Sequence, residues 1–321
     1  MRDRRHRRVT SRTTGSLRGT LLPVSQEKVR ELVRRVPFGA SLARADAPME
    51  ISGYAVMLSM PTWLNELLGN ALTKRVVREL ESIQAHVLIH LQLLDDVMDG
   101  QSQIGPGDPA VPRGIAEQRL TRLFNPGDPF WRDYQRLSNE QEAAARWEIA
   151  GRGAPLPRLD DALFDAIASK GALLRWPASA VARLAGRPRA VRLLDDVFAR
   201  VLGVVLLFDD LSDFEEDAGR GQINAVLCAG GISSRDPLHF YPNVLRGARA
   251  VCDKARVELA WLKKVGPSGG GLAAMCDHWS ARCGEVLEPF AIRCQAATAG
   301  YIFGSLAAPR GTSADAAGNP R

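Results

Sequence analysis

The chain has 321 residues, 45% of them hydrophobic, and a formal net charge of +6, so it can bury one large core or two ordinary ones. No run of about 18 uncharged apolar residues occurs, which excludes a membrane-spanning helix. The charge does not describe a basic protein: residues 1–20 hold seven arginines, Arg2 to Arg18, against Asp3, and everything after them is formally neutral.

Residues 1–20 read as a disordered, solubilising basic arm with no secretory h-region. Its charge would also suit nucleic acid or anionic lipid, and no specific nucleic-acid partner is implied. Helical spacing dominates residues 21–306, and alternating strand runs are missing. Helices are predicted near residues 25–36, 49–68, 71–99, 130–151, 159–186, 188–216, 236–264 and 271–305. Turn chemistry separates them. Two Pro-Gly-Asp-Pro segments, at 106–109 and 126–129, bracket a loop-rich stretch, and Gly151 to Pro157, Gly186 to Pro188 and Gly266 to Gly271 break other helices. Residues 21–306 form one all-α bundle on this reading, and residues 307–321 are a small, polar, disordered tail. Five cysteines (Cys228, Cys252, Cys276, Cys283, Cys294) lie in the C-terminal third without a C-x-x-C pair. They read as core residues in a reducing, cytoplasmic setting.

Two acidic runs carry the chemistry. The first is Asp95-Asp96-Val97-Met98-Asp99. The second is Asp209-Asp210-Leu211-Ser212-Asp213, followed by Glu216 and Asp217. Residues four apart share a helix face, so Asp95 and Asp99 lie together, as do Asp209, Asp213 and Glu216 or Asp217. Each run ends an apolar stretch, Val87 to Leu94 and Val201 to Phe208. Carboxylates so placed are costly unless their charge is compensated, and hard divalent cations would do that. About three predicted helices between the runs would suffice to bring them face to face at one end of a bundle.

These residues resemble the trans-isoprenyl diphosphate synthase and class I terpene synthase superfamily. Leu93 to Asp99 is similar to that family's first aspartate-rich motif, and Phe208 to Asp217 to its second. Ser169 to Leu174 resembles its central lysine segment, and Gly219 to Leu227 the loop after the second motif in bacterial members. The similarity covers roughly residues 70–230. It implies an isoprenoid-synthase bundle with a central apolar cavity and, as in many relatives, a homodimer. It implies Mg²⁺, three ions with bound diphosphate, held by Asp95, Asp96, Asp99, Asp209, Asp210, Asp213, Glu216 and Asp217. Asp95, Asp99 and Asp209 would be catalytic. Lys170, Arg175, Arg220 and Arg293 would bind the diphosphate of an allylic isoprenoid. His90, Leu91, Leu174, Trp176, Val205 and Phe208 would line the pocket.

The chain departs from chain-elongating members. No Gly-Gly-Lys-Arg segment lies between Leu21 and Leu80, no Arg-Arg-Gly follows Asp99, and Phe208 stands where elongators carry Gln. The expectation is therefore a terpene synthase in which ionisation leads to cyclisation or quenching by water. Chain elongation with isopentenyl diphosphate, or prenyl transfer to another acceptor, is the alternative, because the second motif keeps synthase-type aspartates. A non-enzymatic, cation-binding bundle is the remote one. Three look-alikes are set aside: Asp195-Asp196 as a surface pair, Asp160-Asp161 with Asp165 as helix N-terminal acids, and His86 with His90, a zinc-like i, i+4 pair, as hydrogen-bonded core or pocket-wall histidines.

Overall fold

A computed structural model describes residues 31, 33–36, 48–98, 105, 107–232 and 236–307. The basic arm 1–20, Asp99 and tail residues 308–321 lie outside the described residues. Among the described residues every regular element is helical and there is no strand. The helices are α1 (Pro48–Leu67), α2 (Lys74–Met98), α3 (Ala110–Leu120), α4 (Pro129–Gly151), α5 (Asp161–Ser169), α6 (Trp176–Leu184), α7 (Val191–Arg220), α8 (Ala225–Gly230), α9 (Pro237–Val265), α10 (Gly271–Glu285) and α11 (Leu287–Ala307). None is long and apolar enough to cross a membrane.

Local chemistry sets the helix starts. The Asp128 carboxylate accepts from the Phe130 N–H at 2.8 Å with Pro129 in the first turn of α4. Asp160 accepts from Leu163 N–H at 2.9 Å and opens α5, so the 160–161 acids do stabilise a helix N-terminus. Asn224 caps α8 and Asp236 caps α9. Gly221, left-handed at φ 70°, ends α7, where a side chain would be strained.

The 30-residue helix α7 is the axis. It packs on α1, α5, α6, α8 and α9, while α2 packs on α1 and α3, and α2 and α7 do not pack closely on each other. Their separation leaves room for a cleft. Buried Phe130, Trp176, Phe198 and Phe214 anchor the core around α7.

Four elements differ from the sequence reading. The stretch after the first acidic run contains α3, despite Pro112 and Gly114. The predicted 159–186 helix divides into α5, a 3₁₀ turn at Ala172–Arg175, and α6, because Gly171 and Pro177 interrupt it. The predicted 271–305 helix divides at Val286. Six-residue α8 is too short for periodicity to register.

Helices α8 and α9 pack closely because Gly247 has no side chain. A Cβ there would collide with the Val226 carbonyl and sit 2.9 Å from the Gly230 nitrogen. Backbone cannot yield as a side chain can, so Gly247→Ala should cost about 1–3 kcal/mol, the range for overpacking. Thermal unfolding of the two proteins side by side checks this; an unchanged midpoint would mean that the helices are free to part.

Candidate functional site

Between α2 and α7 lies a cleft of about 490 Å³, within the range of small-molecule sites. Asp95 and Asp96 line it from α2, and Asp209 and Asp213 from α7. Its wall below the acids is apolar, with Met57, Leu88, Leu174, Leu202, Val205 and Phe208. The two acidic runs, 114 positions apart in sequence, therefore border one space. Their fields overlap: the charge of Asp95 acts on both Asp209 and Lys170.

Lys170 is the one basic residue among the described residues lining the cleft. It closes the C-terminus of α5. Its ammonium pairs with Glu148 Oε1 at 2.6 Å, and Gln141 on the same face of α4 donates to its backbone carbonyl. Burial alone would favour the neutral amine, but Glu148, Asp210 and Asp95 outweigh it and raise the lysine pKa. The lysine is charged throughout the physiological range.

The aspartates pay for their crowding. Asp209 keeps accessible surface, yet walls of protein surround its carboxylate. This desolvation first, then Asp213, Asp217 and Asp95, pushes its pKa up to about 7 against the pull of Lys170. Burial raises Asp210 to about 7 as well, opposed by Lys170 and by a hydrogen bond from Ala225 N–H. Asp217 is raised by burial despite the Asn224 amide that donates to it at 2.8 Å. From α1 the Tyr54 hydroxyl donates to Gln92 Oε1 on α2 at 2.8 Å, and Gln92 Nε2 donates to Asp96 at 3.4 Å.

The structure redistributes the other expected site residues. Asp210 does not line the cleft: it is buried and accepts from Ala225 N–H at 2.6 Å, fastening α7 to the start of α8. Adjacent helical residues point about 100° apart, and of the Asp209-Asp210 pair it is Asp210 that turns inward. Glu216 is exposed and paired with Arg220 at 2.6 Å, away from the lining. Arg175 is buried between Asp195 and Glu140, at 2.8 and 2.7 Å, and is not retained as a diphosphate ligand. The same pairing corrects Asp195, which is half-buried in an ion cluster with Arg175 and Arg136, while its neighbour Asp196 stays exposed. Arg293 stacks over Phe214, 4.7 Å from its centroid. Trp176 is core, outside the lining. His90 is buried, donating through Nδ1 to the Pro109 carbonyl at 2.8 Å. His86 likewise donates to the Ser82 carbonyl at 2.8 Å. Leu91, Leu174, Val205 and Phe208 do line the cleft. All five cysteines are buried free thiols.

The sequence reading missed Glu148, Gln141, Tyr54, Gln92 and Trp279, all cleft residues. Trp279 meets Phe208 edge to face, with centroids 4.5 Å apart. One signal was available: Gln141, Ala145 and Glu148 recur at helical spacing on α4.

The donor chemistry suits a hard cation, since carboxylate oxygens from both helices open on the cleft. Among the described residues, however, no three His, Cys, Asp or Glu side chains converge tightly enough to hold a metal ion by themselves. Comparisons with protein-family models, with curated proteins and with solved structures found no match.

The raised carboxyl pKa values make stability depend on pH. A carboxyl whose pKa is raised by folding holds a proton that the unfolded chain has already released. Its contribution to stability therefore falls as pH climbs from the ordinary carboxylate range through about 7. Asp209→Asn removes that loss. The variant should melt higher than the wild type near pH 8, by a margin that shrinks as pH falls and is gone near pH 3, below the ordinary carboxylate range; a gain independent of pH would contradict the electrostatic account.

Proposed function

We propose that the chain is a Mg²⁺-dependent class I terpene synthase that ionises an allylic isoprenoid diphosphate and releases diphosphate. The observation that carries this reading is the opposition of Asp95 and Asp96 to Asp209 and Asp213 across one apolar-walled cleft, with Lys170 beside them. Asp95, Asp96, Asp209 and Asp213 would hold the cation, with substrate oxygens completing a ligand set that the carboxylates do not complete alone. Bound there, it would neutralise the leaving group's charge, which is what makes diphosphate depart.

The chain's own residues supply the rest. Lys170 donates to a diphosphate oxygen and remains cationic while it does so. Its partner Glu148 holds the ammonium at the rim, so little ordering is left for the moment of reaction. The prenyl tail lies along Leu88, Leu174, Leu202 and Val205, which keep water from the allylic cation. The aromatic rings of Phe208 and Trp279 border the same wall and would stabilise positive charge. Cyclisation or capture of water then ends the reaction.

Chain elongation is the second reading, favoured by the synthase-type aspartates of the α7 run. It needs a second diphosphate site, and Lys170 is the single cation among the described residues of the lining. Purified protein given geranyl, farnesyl or geranylgeranyl diphosphate with Mg²⁺, and no isopentenyl diphosphate, should yield a hydrocarbon or alcohol. Product formed only after isopentenyl diphosphate is added would establish elongation instead. Asp95→Ala and Asp209→Ala should each lower turnover by on the order of 10² or more; wild-type rates in either would remove the acidic runs from the reaction.

A further inference from the structure

We propose that the end of the bundle opposite the cleft mouth is a basic face that seats on an anionic lipid leaflet. This stands apart from the reaction in the cleft.

Four connections meet at this end. Arg187, just after α6, donates to the Leu68 carbonyl just after α1 at 3.1 Å. Glu66, in the last turn of α1, accepts at 2.8 Å from the Gly271 N–H that opens α10. Arg119, in the last turn of α3, pairs with Glu79 near the start of α2 at 2.8 Å. Asp133, near the start of α4, pairs with Arg183 at the end of α6 at 2.7 Å. The cleft acids lie at the other end. Lys74 precedes Asp95 by 21 residues on α2, and Arg192 precedes Asp209 by 17 on α7, roughly 31 and 25 Å at 1.5 Å per residue.

Charge is separated between the two ends. Residues 66–79, 119–133, 183–192 and 263–271 hold twelve lysines and arginines against four carboxylates. Those four are engaged: Glu79 and Asp133 in the ion pairs above, Glu66 by a backbone N–H, and Asp128 as the cap of α4. Lys74, Arg75 and Arg78 on α2, Arg122 after α3 and Arg132 on α4 are exposed and pair with no carboxylate among the described residues. The same holds for Arg189 and Arg192 around the start of α7 and for Lys264 at the end of α9. Elsewhere pairing is the rule: Arg113, Lys170, Arg175, Arg200, Lys254 and Arg282 each face a carboxylate. The formal neutrality of the chain beyond residue 20 therefore conceals a surplus of cations at one end and of anions at the other. Like charges gathered on one face raise its potential and attract polyanions.

The arrangement selects the polyanion. A protein that covered this face would have to present carboxylates at preset positions, and each long basic side chain would lose rotamer freedom to meet them. A fluid leaflet brings its anions to the cations instead, and every basic residue near it adds an attraction that salt screens. Nucleic acid is read by a helix or ribbon that enters a groove, or by rings on which bases stack. Here the helices end instead of projecting. Phe124 and Phe130 are buried, and the Trp131 indole N–H is engaged by the Asn125 carbonyl at 3.0 Å. Cations spread over several helix ends, without a stacking ring or a protruding element, match a plane of headgroups. Attachment of this kind is electrostatic and reversible.

The test is co-sedimentation of the full chain with vesicles of phosphatidylcholine alone or with about one-third phosphatidylserine. Binding to the anionic vesicles, none to the neutral ones, and release by salt are expected. Arg75→Gln, Arg122→Gln and Arg192→Gln together should weaken binding about a hundredfold at low salt, about fivefold for each charge. Arg132→Gln with Arg189→Gln, an independent variant of the same face, should weaken it roughly 25-fold. Arg75→Lys, Arg122→Lys and Arg192→Lys together keep the charge and should bind as the wild type does. Circular dichroism and the melting point of each variant establish that it is folded. No binding to anionic vesicles overturns the proposal. So does undiminished binding of either glutamine variant, since the attachment then lies elsewhere in the chain. A lysine variant that loses binding as the glutamine one does overturns it by removing its electrostatic basis. Binding of duplex DNA that the glutamine substitutions abolish, with no vesicle binding, assigns the face to nucleic acid and overturns it too.

Discussion

Mutual repulsion among carboxylates organises this molecule's cleft. Asp209, Asp213 and Asp217 succeed one another at four-residue intervals on α7, and Asp95 faces them from α2. Desolvation, reinforced by like charge, pushes the pKa of Asp209 and Asp210 up to about 7. The only positively charged side chain among the described lining residues is Lys170, itself committed to Glu148. The folded protein thus stores an unbalanced negative field at the mouth of an apolar cavity. An occupant that brings compensating positive charge and a greasy tail answers both halves of that imbalance.

Packing tolerates the field because the acids are supported from behind. Asp210 turns into the core and satisfies the first turn of α8, while Asn224 reaches both the Asp210 carbonyl and the Asp217 carboxylate. Helix α8 is in turn held against α9 by the absence of a side chain at Gly247. A line of backbone contacts therefore runs from the acidic face of α7 to the outer layer of the bundle. On the other wall, Tyr54 and Gln92 perform the equivalent service for Asp96.

The all-helical class and both acid-bearing helices were legible in the sequence because long periodic segments and acidic runs leave strong local signals. Lys170 was legible through its motif. Direction was not: nothing in Asp209-Asp210 says which of the two faces the cleft, since that depends on where α8 starts. Arg175 and Asp195 failed for the same reason, each finding a partner far away in sequence. Trp279 lies 71 positions beyond Phe208, and only the packing of α10 against α1 and α9 brings it to the cleft. Short α8 and the proline-bearing α3 escaped because propensity there is overridden by tertiary contact.

The Lys170–Glu148 pair has an evolutionary corollary. Glu148 is the counterion of an amine that would otherwise be driven toward neutrality by burial, and Gln141, two turns earlier on α4, fixes the carbonyl of the same lysine. Loss of the glutamate alone strands a cation, and loss of the lysine alone strands an anion. In related chains positions 148 and 170 should therefore be inherited as a couple, changing together or not at all, while neighbouring outward-facing positions of α4 drift freely.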